Sequence, residues 1–237
     1  MNLIILAAGR GTRLPKKFRN RPKCLTKIEN KTLIDLNLKF YLKFEKKILI
    51  SGYQSNLLKK KIKKNLFEFI YNKDFRKTNM VHSMFLASKK ITNDVVICYG
   101  DIIFDKSIFN LLKKKGNIMP VYKDWLKLWK KRMNKKKIKD DAEDIKIKKK
   151  ELKMIGEKIK LKFPKFQYMG IFKIKREDFF KLKMYYEKLG NKKIDMTNFI
   201  NSALKQKMIK FDTEIYKKFW FEIDNYNDIK VASNFFK

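Results

Sequence analysis

The order of apolar and polar segments predicts an α/β protein built on a mostly parallel, doubly wound sheet. Three observations carry this. A continuous apolar run at residues 3–8 ends in Gly9-Arg10-Gly11; strand-like and helix-spaced segments alternate through the first half of the chain; and two carboxylates, Asp101 and Asp224, each close an apolar run. Continuous apolar runs mark strands buried on both faces, as in parallel sheets covered by helices. In such sheets ligands gather at the carboxyl ends of the strands.

Residues 3–8 read as a buried strand, and residues 33–44 carry helical spacing. A second strand covers 48–52, a lysine-rich helix 57–62 and a third strand 67–71. Asn79 is placed to cap a helix that runs to residue 87, and 95–99 is an apolar strand ending in Gly100-Asp101. After Val121 the rhythm changes. An aromatic, basic helix over 125–133 leads into the acids Asp140, Asp141, Glu143 and Asp144, and alternating strands follow over 145–149 and 152–155. Residues 122–165 therefore read as a lid-like insertion beside the sheet. A strand over 166–174, helices over 177–189 and 196–205, a strand over 220–223 and a terminal helix over 225–236 complete one domain spanning 1–237.

Composition narrows the function. Lys and Arg number 60 against 24 Asp and Glu, a formal net charge of +36, and 44% of residues are hydrophobic, which excludes a disordered chain. Such a charge suggests a nucleic-acid binder, but only seven of the cations are Arg. Bidentate phosphate and base recognition is the work of Arg, whereas these lysines are spread along almost every polar helix face. The charge is read as surface composition, with no specific nucleic acid as partner; a basic nucleic-acid-binding protein is the rival from another class. Cys24 and Cys98 have no CxxC partner, and His82 is the only histidine. A disulfide framework and a thiolate zinc site are thereby excluded, and a cytoplasmic setting is expected. The first apolar run lacks a basic region before it, and no stretch is long enough for a membrane span, so no membrane insertion is expected.

The strongest local signal is Leu6-Ala7-Ala8-Gly9-Arg10-Gly11-Thr12-Arg13. Small residues let backbone N–H groups approach phosphate oxygens, and guanidiniums neutralise their charge. It is neither a dinucleotide fingerprint, since Leu14 stands at the third glycine, nor a Walker loop. Arg21-Pro22-Lys23 follows, a proline-stiffened loop presenting a mobile point charge. Asp101 and Asp224 need a helix end, a lysine or a metal as partner, and if they converge the pair suits Mg2+. Asp105 reads as a helix cap, and Glu222 is set on the strand face opposite Asp224.

The glycine loop followed by Pro22-Lys23 resembles the nucleotidyltransferases that join an NTP to a phosphorylated small molecule and release pyrophosphate. The resemblance implies a Rossmann-like sheet of the nucleotide-diphospho-sugar transferase type. It also implies nucleotide binding by Leu6, Ala7, Ala8, Gly9, Gly11, Thr12, Arg13, Lys23, Gly52, Tyr53, Ser83 and Gly100, catalysis by Lys23, Arg13, Asp101 and Asp224, and Mg2+ on the two aspartates. Further stretches are similar to the phosphocholine and aminoethylphosphonate cytidylyltransferase branch: Asn79 to Met84, Gly100-Asp101-Ile102-Ile103-Phe104, Trp129 with Asp141-Ala142-Glu143, Gln167-Tyr168-Met169-Gly170, Asp195-Met196-Thr197 and Trp220-Phe221-Glu222-Ile223-Asp224. Met80 and His82 stand where that branch has Asn and Tyr.

The expected partners are CTP and a small acceptor bearing a phosphate or phosphonate, bound by Trp129, Asp141, Glu143, Tyr168, Asp195 and Trp220. A quaternary ammonium on the acceptor would call for the aromatic faces and a primary one for the carboxylates; both remain open, as do monomer and homodimer. The rival within enzymes is a hexose-1-phosphate nucleotidyltransferase, which would share the glycine loop, Lys23 and both aspartates.

Overall fold

The computed structural model describes every residue except 64, 161 and 237. The strands, in chain order, are β1 (Asn2–Ala7), β2 (Lys27–Ile28), β3 (Lys31–Thr32), β4 (Lys46–Ser51), β5 (Glu68–Tyr71), β6 (Val95–Tyr99), β7 (Ile102–Phe104), β8 (Ile118–Tyr122), β9 (Glu143–Lys148), β10 (Glu151–Lys158), β11 (Gln167–Tyr168), β12 (Ile171–Ile174), β13 (Asp212–Tyr216) and β14 (Trp220–Glu222). The main sheet runs β5-β4-β1-β6-β12-β8-β13-β10-β9, with β11 paired to β8. Strands β5, β4, β1 and β6 are mutually parallel, as are β8 and β13, while β12 lies antiparallel between β6 and β8.

Strand β1 shows why the sheet sits at the centre. All six residues are buried. Leu3, Ile5 and Ala7 pack into one apolar core with Phe40, Leu58 and Ile108, and Ile4 and Leu6 pack into the core on the opposite face with Met84, Phe179 and Phe199. Helices cover both faces, so the strand is apolar from Leu3 to Ala7, and the buried Asn2 at its start has its side chain hydrogen-bonded to Thr92 and Asn93. The fold is the mixed, mostly parallel sheet that the alternation of segments predicts.

Several expected elements take a different form. The helix over 33–44 is two single turns, Leu33–Leu36 and Leu38–Tyr41, because Asn37 between them turns its side chain to the carbonyl of Ile102, with Nδ2 donating at 2.8 Å. The strand over 166–174 is interrupted at Gly170, whose φ of +71 lets the chain pass from pairing with β8 to pairing with β6. Of the stretch 122–165, β9 and β10 extend the main sheet at its edge, and the helices Trp125–Arg132 and Lys135–Asp141 precede them; residue 161 lies outside the described residues. Of the acids there, Asp140 and Asp141 end a helix and Glu143 opens β9. Strands β7, β8 and β13 carry no clear sequence signal, whereas β14 falls within the strand expected over 220–223. Among the described residues no helix is long and apolar enough to cross a membrane, and both cysteines are buried and unpaired.

Candidate active site

Two cavities open at the carboxyl ends of β1 and β6. The first, about 390 Å³, is lined by Leu6, Ala7, Ala8, Gly9, Gly11, Thr12, Arg13, Lys23, Ser83, Gly100 and Asp101, joined by Asn72, Phe75, Thr78, Asn79 and Met80. Strand β1 aims its last residues at this space, and the exposed loop after it leaves its backbone free to meet a ligand. Gly52 and Tyr53 stand behind the loop, not in the cavity wall. Tyr53 N donates to the Ala8 carbonyl at 3.0 Å and its hydroxyl donates to the Arg19 carbonyl at 2.7 Å. A Cβ on Gly52 would lie 2.7 Å from the Ala8 oxygen, so only glycine permits this contact. Buried Asn72 escaped the sequence reading; its Nδ2 donates to Ser83 Oγ at 3.0 Å and fixes that hydroxyl.

The second cavity, about 310 Å³, is lined by all six expected acceptor residues, Trp129, Asp141, Glu143, Tyr168, Asp195 and Trp220, with Gln167, Thr197 and Glu222 among the others. It shares Arg13, Met80 and Tyr99 with the first. Thr197 Oγ1 donates to Glu143 Oε1 at 2.8 Å and is 3.2 Å from Asp195 Oδ1. Burial lifts the Glu143 carboxyl above the ordinary glutamate range against that hydrogen bond, and the charges of Asp195 and Asp141 add to the rise. Asp195 also caps the helix Met196–Lys205, accepting from Asn198 N at 2.8 Å. The tryptophans are largely packed: Trp220 Nε1 donates to the Met169 carbonyl, Trp125 Nε1 to that of Pro164, and the Trp125 and Trp129 rings meet edge to face at 5.3 Å.

Where the cavities meet, Lys23 Nζ donates to Asp101 Oδ2 at 2.7 Å and to Asp224 Oδ1. Arg13 Nη2 is 2.8 Å from Asp224 Oδ1, and Arg13 Nη1 is 3.6 Å from Asp141 Oδ1. Burial disfavours the Lys23 ammonium, but Asp101 and Asp224 outweigh it and hold the group charged above the ordinary lysine range. Glu222 joins the two aspartates: one carboxylate oxygen from each of Asp101, Glu222 and Asp224 lies within 4.8 Å of the other two. The expectation that Glu222 points away is thus corrected, since side chains two apart along an extended chain fall on one side. Burial, followed by the charges of Asp224 and Asp101, pushes its carboxyl up to about 8.

The last strand places this pair. β14 lies antiparallel to β7 with Glu222 opposite Ile102, and Ile223 N donates to the Asp101 carbonyl at 3.0 Å. Asp224 does not cap the terminal helix. Asn225 does, its Oδ1 accepting from Asp228 N while Asp228 Oδ2 accepts from the N–H groups of Asn225 and Asp224. Asp228 Oδ1 in turn accepts from Arg132 Nε at 2.7 Å, and both side chains are fully buried. Sequence reasoning missed this pair. Its signals were the Asn225-x-x-Asp228 spacing of a capping box and an arginine kept in a lysine-biased chain. His82 sits away from the reacting groups, its Nδ1 3.1 Å from the Tyr186 hydroxyl.

The donor set is chemically simple. Three carboxylates, a lysine and an arginine converge, all hard oxygen or cationic groups, and Asp101 Oδ1 is buried with no hydrogen-bond partner among the described residues. Such an oxygen cluster fits a small divalent cation of the Mg2+ type, which binds through one or two carboxylates and the phosphates of its substrate.

Comparison with known proteins agrees with the geometry. Residues 3–124 match the MobA-like NTP transferase domain. The chain is 30% identical to a CTP:phosphoglutamine cytidylyltransferase of Campylobacter jejuni over 98% of each chain. It is 31% identical to a choline-phosphate cytidylyltransferase of Streptococcus pneumoniae over 52% of this chain and 55% of the relative. The solved structure of a CTP:phosphocholine cytidylyltransferase of Streptococcus pneumoniae superposes with a TM-score of 0.80 at 19% identity, covering 100% of this chain and 99% of that one. A glycine loop at the end of the central strand, a lysine between strand-end carboxylates and a match over more than half the chain lead to one conclusion: the protein belongs to the MobA-like NTP transferase family and is a nucleotidyltransferase with cytidylyltransferases among its relatives.

Proposed function

We propose that the protein transfers CMP from CTP to the phosphate or phosphonate of a small acceptor that carries a primary ammonium, releasing pyrophosphate. One observation carries the acceptor class. In a chain of 60 cations, Glu143 and Asp195 face the second cavity without a Lys or Arg ion-pair partner among the described residues. A ligand ammonium supplies the missing charge, and its N–H groups fit carboxylate oxygens as a quaternary ammonium's methyl groups do not. The packed indoles leave little open aromatic face for a methylated cation. The name of the Campylobacter relative supports this reading, because phosphoglutamine carries a primary ammonium.

The chemistry needs no general base. The attacking acceptor oxygen is already anionic; it forms a bond to the α-phosphorus of CTP while the bond from that phosphorus to the oxygen bridging to the β-phosphorus breaks. Lys23 and Arg13 counter the charge on the α-phosphate and the departing pyrophosphate, and the backbone of residues 8–12 holds the phosphates. Asp101, Asp224 and Glu222 would hold Mg2+, which supplies further neutralisation when bound. The buried Asp101 Oδ1, which has no hydrogen-bond partner among the described residues, supports this, and a cation there would draw the proton off the raised Glu222 carboxyl.

The test is pyrophosphate release with Mg2+ from each of the four NTPs against phosphoglutamine, aminoethylphosphonate, phosphocholine and hexose 1-phosphates. Release with CTP and an acceptor bearing a primary ammonium is expected, together with loss of turnover in Asp101→Ala while the fold is retained. Preference for phosphocholine or a hexose 1-phosphate would overturn the acceptor assignment.

A further inference from the structure

Lys23 stands in two places that its expected role does not require at once. Its ammonium bridges Asp101 and Asp224, the carboxylates offered to a metal ion, with only 13% of its side chain exposed. The same side chain lines the nucleotide cavity. A carboxylate oxygen that gives its lone pair to an ammonium cannot also bind a divalent cation at about 2.1 Å without bringing two positive charges together. Asp224 Oδ1 is the more heavily occupied of the two aspartates, since Arg13 also reaches it at 2.8 Å.

We propose that Lys23 is an exchange cation that guards the carboxylate site: it balances Asp101 and Asp224 in the free protein and moves onto the phosphates when nucleotide arrives, opening the site to the metal. The inference rests on the reading of these carboxylates as a Mg2+ site. Its anatomy suits the movement. The backbone is pinned in a single turn, Lys23–Leu25, with Leu25 N donating to the Pro22 carbonyl at 2.9 Å, while the four-carbon stem is flexible and ends in a point charge. An arginine fork would lock onto one carboxylate and resist transfer. Two consequences follow. Free metal binds weakly, and nucleotide and metal strengthen each other's binding because each displaces or draws off the charge that opposes the other.

The experiment is calorimetric titration of the full chain with Mn2+ in the absence of nucleotide, comparing wild type, Lys23→Met and Asp101→Asn, with folding checked by circular dichroism. Lys23→Met is expected to bind Mn2+ at least about tenfold more tightly than wild type, and Asp101→Asn to remove the binding. Lys23→Gln serves in the same titration if the Met variant does not fold. Equal or weaker binding in the lysine variants, or none at all, overturns the exchange. Failure of the underlying reading looks different: Mn2+ binding would persist unchanged in Asp101→Asn, or wild-type turnover would proceed without any divalent ion.

Discussion

Arg132 and Asp228 have fully buried side chains, yet they decide where Asp224 stands. Asp228 spends one oxygen on Arg132 and the other on the backbone N–H of Asp224 and Asn225, so the ion pair braces the turn that presents the carboxylate. Arg132 also lies over the Trp129 ring, with Cζ 5.4 Å from its centroid. Removing one member leaves the other charged and buried. Arg132→Met is expected to cost about 3–5 kcal/mol in urea denaturation, and Asp228→Asn in the same chain should recover part of that loss. A second residue-scale prediction concerns Glu143. Its carboxyl titrates above the ordinary glutamate value of 4.5, and Thr197, Asp195 and Asp141 are the groups around it. As pH falls through that raised value the group gains a proton and loses its charge, so KM for an ammonium-bearing acceptor should rise on acidification while KM for CTP does not. Glu143→Gln should flatten the profile.

At the scale of elements, the glycine loop depends on the strand-to-helix connection behind it. Gly52→Ala would force its new methyl against the Ala8 carbonyl, displacing the loop that faces the nucleotide. The expected result is a stability loss of about 1–3 kcal/mol and a higher KM for CTP, with KM for the acceptor changed less. The same scale shows what was legible beforehand. The buried runs of β1, β4 and β6 announce themselves because both faces are covered and their central residues are continuously apolar. β13 does not, because Asp212 and Ile215 are exposed and Glu214 is half-buried, and a half-polar strand reads like the surrounding surface. The 33–44 helix was misread as continuous because Asn37 breaks it through a contact with Ile102, 65 positions away, which local spacing does not encode. The glycine loop, Lys23, Asp101 and Asp224 were legible as residues. The convergence of Glu222 with them was available from strand periodicity and was assigned to the wrong face; the Arg132–Asp228 pair needed the tertiary structure.

For the whole molecule, the net charge of +36 coexists with a site whose balance is acidic. The surface therefore attracts polyanions in general. Duplex DNA binding is expected at low salt and should weaken by at least about a hundredfold between about 50 and 200 mM salt, while CTP turnover changes far less. Retention of tight DNA binding at the higher salt would favour a nucleic-acid role instead. The reacting centre is assembled from widely separated parts of the chain: Lys23 follows β1, Asp101 follows β6, and β14 returns with Glu222 and Asp224 by pairing only with the short β7. This arrangement sets the timing of activity during synthesis. A ribosome can release the strands β1, β4, β5 and β6, and these can pair, long before residue 224 leaves the exit tunnel. Until then Lys23 and Asp101 have each other alone, and the growing chain carries the lining of the nucleotide cavity without the two carboxylates that complete the reacting centre.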